Sequence, residues 1–74
     1  MAKVECRVFV EKVDGSQEEI IKDNFFNTAM EVPAIREKWV NKCKAIKVDL
    51  FNKCGELEFT ISLDEFIGQV LKRI

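Results

Sequence analysis

Residues 46–61, IKVDLFNKCGELEFTI, hold two runs of alternating apolar and polar residues on either side of a glycine-bearing turn. Alternation with period two marks a strand with one buried face. Reversing the chain between Phe51 and Glu56 sets Leu50 opposite Leu57, Val48 opposite Phe59 and Ile46 opposite Ile61. All six apolar residues then share one face, which predicts a hairpin that needs covering.

The cover comes from both sides. Downstream, SLDEFIGQVLKRI (62–74) opens with Ser62 three residues before Glu65, a capping box that starts a helix. Leu63, Phe66, Ile67, Val70, Leu71 and Ile74 form its apolar stripe, and Lys72 and Arg73 sit where the helix dipole favours cations. Upstream, NTAMEVPAIREKWVNKCKA (27–45) predicts a helix from Pro33 onward, because proline suits a first helical turn. Asn27 and Thr28 then open a separate short turn, or the chain reaches Pro33 in extended form. Ile35, Trp39, Val40, Cys43 and Ile46 make the core-facing stripe of that helix.

The N-terminal third repeats the strand pattern. KVECRVFVEKV (3–13) alternates Val4, Cys6, Val8 and Val10 with charged residues. Asp14-Gly15 follows, a strong hairpin signal because both residues tolerate positive φ. QEEIIKDNFF (17–26) is the returning strand, although the adjacent Ile20 and Ile21 leave its register open. The order is ββαββα. It predicts one α+β domain over residues 1–74, in two layers, with both helices on one face of a four-stranded antiparallel sheet.

A chain of 74 residues retains only a few kcal/mol of net stability from its core. Three cysteines, Cys6, Cys43 and Cys54, are an odd set unsuited to a disulfide framework, so self-association is the expected supplement. No apolar run approaches the roughly 18 residues of a membrane span, and the N-terminus lacks the apolar core of a signal peptide. A reducing cytoplasm is the expected setting.

The triplet Asn-Lys-Cys occurs twice, at residues 41–43 and 52–54. The copies fall at a helix end and in a hairpin turn, so they are not an internal repeat. With no histidine and no Cys-x-x-Cys spacing, three scattered thiols suit neither zinc nor redox chemistry. Cys6 and Cys43 are expected as small core residues and Cys54 as an incidental turn thiol. No metal or cofactor is expected. Histidine and tyrosine are absent, and Glu18, Glu19, Glu56, Glu58, Asp64 and Glu65 each suit a strand face, a turn or a helix start. No catalytic constellation results, and an enzyme is not expected.

Two binding readings remain. Six of the basic residues lie within residues 32–53, against two acidic ones, although the net charge is −1. Arg36, Lys38, Lys42, Lys44 and Lys47 would form a nucleic-acid contact if they shared a surface. A solvated helix face explains the same residues. The preferred reading rests on apolar residues facing away from the helices. If Val8, Val10, Val48 and Leu50 point inward, Phe9 and Phe51 point outward, and Phe25 and Phe26 cannot both turn inward from one strand. Phe9, Phe25, Phe26 and Phe51 therefore form the expected interface of a small protein-binding domain that works by surface contact. Its partner is a protein or a second copy in a homodimer.

Overall fold

The computed structural model describes residues 4–73 and follows the expected element order. Ile74 and the Arg73 side chain, assigned above to the last helix, lie outside the described residues. The elements are β1 (Cys6–Glu11), β2 (Gln17–Asp23), α1 (Phe25–Trp39), β3 (Ala45–Phe51), β4 (Leu57–Ser62) and α2 (Leu63–Arg73). The strands form one antiparallel sheet in the order β2-β1-β3-β4. Cys6, Val8 and Val48 on the sheet meet Val32 and Ile35 of α1 and Leu63 and Phe66 of α2 in the core. Burying a valine such as Val8 or Val48 contributes about 1.5–3 kcal/mol relative to leaving it in water. The two-layer α+β arrangement is the one the alternation implied.

Both hairpins turn in the same way. Gly15 N–H donates to the Lys12 carbonyl at 2.9 Å, and Lys12 N–H donates to the Ser16 carbonyl at 2.7 Å. In the second hairpin Gly55 N–H donates to the Asn52 carbonyl at 3.0 Å, and Asn52 N–H to the Glu56 carbonyl at 2.9 Å. Gly15 and Gly55 have φ of 92° and 82°, the left-handed region that glycine enters without a Cβ penalty. These are three-residue loops closed by a left-handed glycine. Asp14 does not share the positive φ expected of it, because this loop demands it at one position only.

A bulge follows each turn. Val8 pairs with Ile21 but Phe9 with Glu19, leaving Ile20 as the extra residue of β2. This resolves the adjacent isoleucines, and both pack against the core. Leu50 pairs with Phe59 but Phe51 with Leu57, leaving Glu58 as the extra residue of β4. The second hairpin is thus displaced from the expected register, with Val48 opposite Ile61. A two-residue displacement keeps Phe59 and Ile61 on the helix side, whereas the bulge turns Leu57 to the outer face.

The helix expected from Pro33 begins eight residues earlier, at Phe25. Asn24 caps it: its side chain accepts from Asn27 N–H at 2.7 Å, and the Glu5 carboxylate accepts from Phe25 N–H at 3.0 Å. Thr28, fully buried, donates its hydroxyl to the Asn24 carbonyl at 2.6 Å. Satisfying these otherwise orphaned groups starts the helix upstream, and Pro33 is carried inside it on an exposed side. The helix also ends sooner, at Trp39, so Val40 is exposed and Cys43 lies beyond the last turn. The Ser62 cap is as expected, its hydroxyl accepting from Glu65 N–H at 3.1 Å.

The chain is two ββα units in tandem. Gly15 and Gly55 are 40 positions apart, and the same displacement relates Val8 to Val48, Glu18 to Glu58 and Ile21 to Ile61. Val8 and Val48 are also partners across the central pair β1–β3, flanked by Cys6 with Leu50 and Val10 with Ile46. Exchanging the halves maps these pairs onto each other. An approximate two-fold axis therefore passes through the sheet between Val8 and Val48.

Candidate functional site

The four phenylalanines expected at an interface are not gathered into one. Phe9 and Phe51 do share the outer face of the sheet, but Phe9 is only 7% exposed. The Arg7 guanidinium lies over its ring at 5.2 Å, and Phe51 is half-buried. Between them Arg7 pairs with Asp49 at 2.8 Å, and Asp49 accepts from the Thr60 hydroxyl at 2.7 Å. Asp49 is 4% exposed, so the centre of the outer face is closed by its own polar network. Phe25 turns into the helical layer, its ring 5.1 Å from Phe66, while Phe26 projects into solvent from the other side of α1. Residues 25–26 open α1 rather than ending a strand, and their side chains leave the helix about 100° apart.

The basic residues are also dispersed. Arg36 and Lys38 lie in the last turn of α1, Lys42 and Lys44 in the loop after it, and Lys47 on β3. Lys47 pairs with Phe9, which places it on the sheet face away from the helices. Lys38 stands over the Trp39 ring at 5.7 Å. Arg36 and Lys44 line one pocket together, whereas Lys47 stands on the opposite face of the sheet.

The cysteines occupy three settings: Cys6 is buried, Cys43 is half-buried with its Sγ donating to the Trp39 carbonyl at 3.3 Å, and Cys54 is exposed. Among the described residues, no group of three or more histidine, cysteine or acidic side chains could hold a metal. No helix is long and apolar enough to cross a membrane.

The two sheet edges differ in kind. β2 presents Gln17, Glu18, Glu19 and Lys22, and its two glutamates are engaged. Glu18 pairs with Lys12 at 2.9 Å and Glu19 lies 3.7 Å from Arg7. The hydrogen bond from Lys12, with its charge, holds the Glu18 carboxyl below its ordinary range, and Glu18 raises Lys12 by the same two causes. The Ser16 hydroxyl, seconded by Ser16 N–H, lowers Asp14. Charge on an edge strand opposes the addition of another strand.

β4 lacks that guard. Leu57 is 56% exposed and Phe59 61% exposed, one on each face of the edge strand. Beside them a groove of about 370 Å³ runs between the β3–β4 end of the sheet and α2. Phe25, Leu50, Phe51, Phe59 and Ile61 line it, with Glu5, Glu58, Glu65 and Gln69 at its rim. Residue alternation assigned Leu57 and Phe59 to a covered face, and neither the bulge at Glu58 nor the edge position of β4 is written in that alternation. Phe25 and Phe51 both line this groove, and Phe51 also pairs with Leu57 on the outer face. Comparison with protein-family models, curated proteins and solved structures finds no match to this chain.

Proposed function

We propose that this chain is a small protein-binding domain that acts by surface contact, and that β4 with its neighbouring groove is the contact surface. The observation that carries the reading is the pairing of a free sheet edge with two largely exposed apolar side chains, Leu57 and Phe59. An edge strand offers unpaired backbone N–H and C=O groups, and alternate side chains on either face add affinity. Exposed apolar groups clustered on a small protein favour such contacts. The charged β2 edge directs them to β4 alone.

The test compares the wild-type chain with the Leu57→Ser, Phe59→Ser double variant, immobilised and exposed to nuclease-treated lysate. Because both side chains are exposed, the variant should keep its fold and stay within about 0.5 kcal/mol per site of wild-type stability. Circular dichroism and urea unfolding check that. Loss of captured protein with the fold intact supports β4 as the contact surface. Equal capture by the two chains refutes it.

A further inference from the structure

Resting on the reading of β4 as a contact surface, we infer that the segment it takes is an extended, basic stretch of polypeptide whose lysines or arginines flank an apolar anchor. The groove supplies the argument. Phe25, Leu50, Phe51, Phe59 and Ile61 give its lining an apolar part that suits one large apolar side chain. Its rim carries Glu5, Glu58 and Glu65, and among the described residues no lysine or arginine lines it. Glu5 is held in place by accepting from Phe25 N–H at 3.0 Å, so part of this negative charge is fixed in position.

Strand geometry aligns these features with one partner. A strand added beside β4 directs every second side chain to the helix side, where Phe59 and Ile61 already point. An anchor at one such position enters the groove. Cationic residues two positions before and after it then meet the carboxylate rim. A second copy of this chain fits less well, because a two-fold contact brings each acidic rim against itself. Like charges brought together across an interface oppose association.

The experiment titrates the intact protein with three blocked nonapeptides built around Lys-Thr-Phe-Thr-Lys, Gln-Thr-Phe-Thr-Gln and Glu-Thr-Phe-Thr-Glu, followed by amide NMR shifts. Sedimentation of the free chain accompanies it. The expected result is saturable binding of the lysine peptide, with shifts confined to β4 and the groove. Affinity should fall roughly tenfold in the Glu58→Lys, Glu65→Lys variant, the sum of modest exposed-charge effects. It should also fall with added salt.

Equal binding of all three peptides at β4 overturns the basic partner while leaving the contact surface standing. Dimerisation through β4 without peptide binding makes the occupant a second copy and overturns the inference. A chain that stays monomeric and binds no peptide removes both the inference and the reading beneath it.

Discussion

Residues 6–39 and 45–73 are two ββα units built with the same devices. Each hairpin has a three-residue loop closed by a left-handed glycine, a bulge on its second strand, and a helix capped through its third residue's N–H. They part company at the outer strand. β2 is guarded by ion pairs from Lys12 and Arg7, whereas β4 leaves Leu57 and Phe59 in solvent. The comparison separates two kinds of information. Turn and cap residues specify the repeated backbone, and edge side chains decide which unit remains open to a partner. Near-symmetry in the backbone therefore does not imply symmetry in function.

The largest expected difference between the two units lies in the helical layer. Counted from their caps at Asn24 and Ser62, Thr28 and Phe66 occupy the same helical position, and both are fully buried. Phe66→Ala should cost about 3–5 kcal/mol, since it removes a ring from the core. That is most of what a domain this small retains, and urea unfolding should show a largely unfolded chain. Thr28→Ala removes one hydrogen bond and one methyl group, and should cost about 1–2 kcal/mol. Equal losses would mean that the units share the core evenly.

The outer face offers a second contrast. The 40-residue relation carries Asp49 onto Phe9, so one half buries a carboxylate where the other buries a ring. Asp49→Ala should cost about 1–3 kcal/mol, because it removes bonds from Thr60 and Arg7 together. The half-exposed Arg7 can recover water, which keeps the loss below that of a fully buried pair. In a double-mutant cycle with Thr60→Val, additive losses would show that the two do not act as a unit.

The smallest effect is a pH dependence of the first hairpin. Asp14 and Glu18 titrate below their ordinary range, so their contribution is present above about pH 4 and fades as the pH falls through their lowered values. Lys12 is shifted the other way, so its contribution is present below the ordinary lysine range and is lost as alkaline pH rises through its raised value. In the second loop the Asn52 side chain accepts from Cys54 N–H and Glu56 N–H, both at 2.9 Å, and does not titrate. Amide exchange at Gly15, corrected for its intrinsic pH dependence, should accelerate on acidification more than at Gly55. Glu18→Gln with Asp14→Asn should remove the difference. An equal response at both glycines would dissolve the distinction between the loops.

Much of the candidate site was hidden for identifiable reasons. The lining residues Leu50 and Ile61 are legible as apolar positions, but the sequence pattern puts Phe25 on a strand, whereas it opens α1. Its helical placement depends on Glu5, which is twenty residues away in sequence and accepts from its N–H. The tandem relation left only a weak trace, with matching residues such as Val8 and Val48 or Ile21 and Ile61 scattered among mismatches. Phe9 and Phe51 were legible as outward-facing, but not the Arg7 guanidinium that covers Phe9.

Element type and order, the positions of both turns, the Ser62 cap and the helix-facing side of β1 and β3 follow from the amino-acid pattern alone. Those features rest on local periodicity and on residues whose backbone preferences act within a few positions. Only the tertiary structure decided the two bulges, the upstream start of α1, the burial of Phe9 and the exposure of Leu57 and Phe59. Each depends on which strand lies beside which, and on side chains distant in sequence satisfying or covering a group. Strand order and cross-strand register are long-range quantities that no local pattern records.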